Sequence, residues 1–382
     1  MTDKEHRRLR RRLSSALLTL PALAFVACAH AQDSPGFVER FDALVDQGLP
    51  ATLPMPPPAM GTQSRAQSAL RVTARLNSTA TFPGEPPATL YDATLDGDAA
   101  VVTRSRTGLD VTAVTAQGAQ VIAVTSGAAT EHTLLPAASD PGTASAARAM
   151  PADFHDDVES GAGPMPLPSF ADSTAPLAIR IFLHEELRST QARSIHAGYV
   201  AWWLRDMETV VLPGEKIEVT YLQPVRGISD LPIGTEGTIA DWARNVVAYR
   251  NSRGLRATWR NKYMLVTQRI AVPGRLGTAL PASGAAIASL SGPYSVIAHE
   301  LGHTFGAEHA LAETRMGKWW GCRTTMSSPH LPLLANCYEY STANMTSIRR
   351  HVSLKGHLPA HWFTPQPIPG SGRSAPLPDT IQ

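Results

Sequence analysis

Cysteine is scarce in this chain: three residues among 382, with none between Gln32 and Gly321. That interval offers no thiol for a disulfide or a metal ion. Charge of one sign is scarce too. The 34 basic and 32 acidic side chains leave a formal net charge of +2, which excludes an electrostatic commitment to nucleic acid or to an anionic membrane. Long hydrophobic runs are missing as well. The apolar stretch at residues 13–28 is interrupted by Pro21 and too short to span a bilayer comfortably, so no transmembrane segment is expected. No G-G-x-G-x-D calcium repeat occurs. What is present, 43% hydrophobic and 17% charged residues, is ordinary for a folded soluble protein, and the length allows two or three domains.

Much of the positive excess is local. Lys4, Arg7, Arg8, Arg10, Arg11 and Arg12 crowd the N-terminus, the apolar run follows, and Ala29-His30-Ala31 supplies a small-x-small cleavage site. Residues 1–31 therefore read as a signal peptide, and the protein as secreted or held in the periplasm or cell envelope. Phe25-Val26-Ala27-Cys28 is a poor lipobox, leaving a lipoprotein anchored at Cys28 as an alternative; Arg11-Arg12-Leu13-Ser14 is a weak twin-arginine variant. Cleavage after Ala31 removes Cys28. The remaining pair, Cys322 and Cys337, reads as a disulfide in an exported chain. Its loop of fifteen residues corresponds to about 3 kcal/mol in the chain-entropy account.

Residues 32–160 are rich in Ala, Thr, Gly and Pro. A short helix is predicted over 37–45 and an extended spacer over 54–58. Residues 89–124 alternate small β-formers with turns at Asp96-Gly97, Thr107-Gly108 and Gln117-Gly118, which predicts a meander of hairpins. Such a region can be an inhibitory propeptide or a retained accessory domain, and both readings stand. The Gly/Pro/Ser-rich stretch at 161–176 reads as a linker. A domain over 177–352 follows, with strands predicted at 178–183, 216–222 and 263–267 and helices at 189–210 and 238–251. His184-Glu185-Glu186-Leu187 lacks a second histidine and reads as a surface strand end. Residues 353–382 form a Pro-rich tail.

The chemistry lies in His299-Glu300-Leu301-Gly302-His303-Thr304-Phe305-Gly306-Ala307-Glu308-His309. Four residues apart on a helix, His299 and His303 share a face and can reach one ion. Glu300 is placed beside the first ligand for general acid and base work. Gly306 can leave the helix in a left-handed conformation, which lets His309 return as third ligand. Ser295, after Pro293, is expected to cap the helix.

This stretch resembles the zinc signature of the metzincin metalloendopeptidases. The resemblance implies an α/β (α+β) catalytic domain with a mixed twisted sheet, a zinc helix and a C-terminal helix, here preceded by a β-rich N-terminal domain. It implies one catalytic Zn2+ held by His299, His303 and His309, with Glu300 as base. It also implies a methionine turn as a floor beneath the metal, for which Met326 is the candidate over Met316, and Cys322 and Cys337 would staple that turn. Tyr340-Ser341-Thr342-Ala343-Asn344 is similar to the family's lead-in to its last helix. Ser328 stands where astacins and serralysins carry a ligating tyrosine, so the likeness is nearer to bacterial reprolysin-like enzymes. In the family a strand before the zinc helix, here 285–290, edges the cleft and pairs with substrate. A cysteine switch is excluded if cleavage after Ala31 removes Cys28, leaving Asp153, Asp156 or Asp157 as candidate silencing carboxylates.

The expected function is a secreted zinc-dependent endopeptidase acting on protein or peptide substrates, with no nucleic-acid partner. A secreted zinc-containing binding or adhesion module without catalysis is the alternative, and an amidase with non-protein substrates a third reading. Calcium dependence and oligomeric state are not specified by the sequence.

Overall fold

The computed structural model describes residues 36–56, 68–115, 118–125, 128–134, 175–187, 192–316, 321–327 and 335–353. The expected signal at 1–31 with Cys28, most of the 161–176 stretch, Asp153, Asp156, Asp157, Ser328 and the expected tail beyond residue 353 lie outside the described residues.

The protein is mixed α+β. Its N-terminal part runs α1 (Phe37–Gln47), β1 (Ala51–Pro54), β2 (Ala69–Thr81), β3 (Ala88–Leu95), β4 (Asp98–Ser105), β5 (Gly108–Thr115), β6 (Gly118–Thr125) and β7 (Ala128–Leu134). From β2 to β7 neighbours pair antiparallel, and the first tight turn falls at Asp96-Gly97, both with positive φ. The long strand β2 carried no clean alternation: its burial is irregular and its register with β3 shifts twice, so its sequence has no period of two to read.

The second part begins with β8 (Leu177–Leu183). A helical run follows as α2 (Ala192–Ile195), a π-helical segment (His196–Val200), α3 (Ala201–Asp206) and a second π-helical segment (Met207–Val211). Then come β9 (Ile217–Leu222), α4 (Thr238–Ser252), β10 (Asn261–Thr267), β11 (Gly277–Leu280), β12 (Ala285–Ser289) and α5 (Val296–Thr304). A small sheet of β13 (Thr314–Met316), β14 (Gly321–Arg323) and β15 (Ala335–Asn336) precedes α6 (Thr342–Ser353). Cys322 and Cys337 are joined as a disulfide beside it.

All strands through β12 belong to one sheet in the order β11-β12-β10-β8-β9-β2-β3-β4-β5-β6-β7, with β1 on β2. Pairing from β12 to β2 is parallel and elsewhere antiparallel. Side-chain alternation divides the core. Ile179, Ile181, Met264, Val266, Ala286 and Ala288 face the layer of α3 and α5, while Phe182, Tyr263, Leu265 and Ile287 face α4 through Trp242 and Val246. A third cluster packs α1, through Phe37 and Phe41, on Leu70, Val72 and Val102.

Two expectations are corrected here. The strand at 285–290 is not the edge, because β12 is paired on both sides; among the described residues the strand at that end of the sheet is β11. β11 has only four residues and returns into β12 through a turn at Pro281–Ser283, too short a run to signal itself. Nor is His184 at the surface. It is 4% exposed, with Nε2 bonded to the Leu231 carbonyl at 3.0 Å and Nδ1 accepting the Glu186 N–H, so the backbone satisfies a ring that a bare pattern search leaves outside.

Candidate metal centre

α5 is apolar enough to be buried along its whole length, and this places its few polar residues. Ser295 makes no side-chain cap: its backbone is already in the helical region, whereas a capping residue needs an extended one. The helix ends by a Schellman motif. Gly306, at φ +83°, donates its N–H to the His303 carbonyl and Ala307 donates to the Gly302 carbonyl. The buried Lys262 ammonium donates to the Thr304 carbonyl and lies over the Phe305 ring; burial pulls its pKa down to about 7.

His309 opens the short turn beyond Gly306. The last helix and the serine just before it hold that turn through three side chains. Ser347 donates to the Gly306 carbonyl, Ser341 donates to the Leu311 carbonyl, and Asn344 both accepts from the Glu308 N–H at 2.8 Å and donates to the Glu308 carbonyl at 3.1 Å. Asn344 thus clamps the peptide unit immediately before His309. It stood in the recognised lead-in, but its partner, 36 residues away, is visible only in three dimensions.

The three imidazoles converge. His309 Nε2 lies 2.8 Å from His299 Nε2 and 3.0 Å from His303 Nε2. Their outer nitrogens face backbone: His299 Nδ1 is 2.8 Å from the Thr325 carbonyl and His303 Nδ1 is 3.0 Å from that of Ala307. A carbonyl can only accept, so both Nδ1 atoms carry the proton and both Nε2 atoms present lone pairs to the common point. Two lone pairs aimed at one point, with the His309 Nε2 beside them, make a donor arrangement suited to a cation. The nitrogen separations are roughly half an ångström below the roughly 3.4 Å edge of a tetrahedron with ~2.1 Å Zn–N bonds. The donor set is of a kind that fits a zinc ion, and among the described residues these three side chains form the group that could hold a metal.

Glu300 is 2% exposed and lies against the start of β11. A Cβ on Gly277 would come within 2.6 Å of the Glu300 Cδ, so only a glycine admits the carboxylate there. Below the helix, Gly302 faces Met326 and Tyr340 just as closely. Met326 is fully buried at a turn closed by the Ser327 N–H on the Thr324 carbonyl, whereas Met316 is 87% exposed and lies away from any core. Tyr340 donates to the Ala298 carbonyl at 2.7 Å and accepts from Trp203 Nε1 at 2.8 Å; burial pushes its phenol far above the ordinary range, so it stays neutral. Gly302 and Gly277 had no assigned role in the sequence. A glycine in a helix interior costs about 1 kcal/mol against alanine, and that signal could have marked Gly302.

No family model and no curated protein sequence matches the chain. Among solved structures, it is similar to the crystal structure of metalloproteinase-II from Bacteroides fragilis, with 13% identity and a TM-score of 0.49 over 74% of this chain and 87% of that one.

Proposed function

We propose that this protein is a zinc-dependent endopeptidase that hydrolyses peptide bonds with Glu300 as general base and acid. The observation that carries the reading is the convergence of three histidine Nε2 atoms, two with their outer nitrogens bound to backbone carbonyls, beside a buried carboxylate. His299, His303 and His309 would hold the ion. When bound, zinc supplies Lewis acidity that brings the pKa of water near neutral and polarises a carbonyl.

The chain's own residues supply the rest. Glu300 accepts the proton of the attacking water and delivers one to the departing amine nitrogen. Gly277 admits the Glu300 carboxylate against the β11 backbone. β11 ends the sheet and pairs with β12 on its other side, so an extended peptide can add to it by backbone hydrogen bonds, which favours a polymer of amino acids as substrate. Asn344 and the Gly306 turn hold His309. The disulfide between Cys322 and Cys337 supports an oxidising compartment, and among the described residues no helix is long and apolar enough to cross a membrane.

The test is casein hydrolysis by purified protein with and without 1,10-phenanthroline, alongside zinc analysis of the Glu300→Ala variant. The expected result is chelator-sensitive cleavage and a variant that keeps zinc but loses turnover. A Glu300→Ala protein that still cleaves casein overturns the assignment. A wild-type protein that holds zinc and cleaves nothing favours the binding module.

A further inference from the structure

The N-terminal meander and the segment that carries the metal centre are one sheet and share one core. β2 lies parallel to β9 through Thr79 with Glu218, Ala80 with Val219 and Thr81 with Thr220. Leu76, Ala80, Phe82, Leu90 and Val101 belong to the same buried cluster as Ile179, Trp203 and Leu301. Without β2, the β9 backbone becomes an open edge and the packing over Ile217, Val219 and Tyr221 is lost.

Polar contacts across the same boundary are buried and specific. The Glu208 carboxylate, 5% exposed, accepts the N–H groups of Asn77 and Ser78 at 2.6 and 2.8 Å. Arg193 donates through Nε and Nη2 to Asp110 Oδ2 at 3.1 and 2.8 Å, with both side chains largely buried. His196 bridges Thr103 at 3.0 Å and Tyr221 at 2.9 Å, and the Thr112 hydroxyl donates to the Ala197 carbonyl at 2.8 Å. Separating the two segments would break all of these buried contacts at once.

The helical run that receives these contacts also supports the metal centre. It carries Arg193, His196, Arg205 and Glu208 toward the meander, and Trp203 from the same run donates to Tyr340, which donates to the Ala298 carbonyl of α5. We infer that residues 36–134 are a permanent part of the folded protein. A cut in the 135–174 interval leaves two chains bound to each other and does not shed the meander. This holds whether or not the protein cleaves peptides.

The experiment places a site-specific protease recognition sequence between Met150 and Pro151 of the full chain, and in a second variant between Gly163 and Pro164 in case the first insertion spoils folding. After complete cutting, size-exclusion chromatography in native buffer and in urea follows the fragments, with metal content read on each peak. The expected result is co-elution in native buffer with the metal content of the uncut chain, and separation only in urea. The cut Arg193→Ala, Glu208→Ala double variant should separate at a lower urea concentration than the cut parent. Separation of the parent fragments in native buffer, whether or not the C-terminal fragment stays folded, overturns the inference.

Discussion

Gly302 approaches Met326 so closely that a Cβ built on the glycine would lie 2.6 Å from the methionine Sδ, with the Tyr340 ring at 2.9 Å. Helix propensity alone favours alanine at this position by about 1 kcal/mol. Overpacking of a filled core costs typically 1–3 kcal/mol, and here the displaced atoms lie under the ligand helix. Gly302→Ala is expected to lower the melting temperature and weaken zinc retention together, measured by thermal unfolding and metal analysis after dialysis. A variant more stable than the parent would show that Met326 gives way freely.

Asn344→Ala leaves the Glu308 N–H and carbonyl without their clamp. Outer-shell residues that orient a metal ligand typically contribute 10–100-fold to metal affinity. A drop of that size is expected in competition with a chromophoric chelator, with circular dichroism little changed. Unaltered zinc affinity would mean that Ser341 and Ser347 hold the His309 turn by themselves.

Gly277→Ala acts on Glu300 and not on the histidines. The added methyl must push the carboxylate away from β11, and misplacing a proton-transfer group reduces the chemical step by roughly 10²-fold or more. The expected outcome is a fall in kcat on a quenched peptide with zinc stoichiometry intact. If kcat holds and only KM moves, Glu300 has not been displaced and Gly277 matters to substrate pairing alone.

Two buried groups set opposing pH dependences. His196 is pulled down to about 3 by burial and, secondarily, by Arg193, so the folded protein keeps the ring neutral while the unfolded chain protonates it near 6.5. Its contribution is present above 6.5 and is lost as pH falls toward 3, at about 1.4 kcal/mol per unit. Asp206 is raised to about 7 by burial, with Glu339 adding repulsion, and its contribution is lost as pH rises from 3.8 to about 7. Differences from variants isolate each term. In urea unfolding, the stability advantage of the parent over His196→Gln should shrink between pH 7 and pH 5, and Asp206→Asn should be more stable than the parent at pH 8.5 and gain less at pH 5. A His196→Gln difference that is flat with pH would contradict a neutral buried imidazole.

The hairpins around Asp96-Gly97, the strands β8, β9, β10 and β12 and the helix α4 were legible because each carries its signal within a few residues. His299 and His303 were legible as a pair for the same reason, since helix periodicity alone brings them together. β11, the burial of His184 and the clamp by Asn344 were not. Each depends on a partner far along the chain, and no local pattern names that partner.

Eleven consecutive residues name the atoms that could bind a metal: three imidazoles, a neighbouring carboxylate and a glycine exit, with His299 and His303 spaced by the helix and His309 returned by the Gly306 turn. What surrounds them is a property of the tertiary fold. That fold selected β11 over β12 as the edge, pressed Glu300 on Gly277 and Gly302 on Met326, and joined the N-terminal meander to β9. Strand pairing and close packing are chosen by long-range complementarity of edges and volumes, which no stretch of residues contains alone.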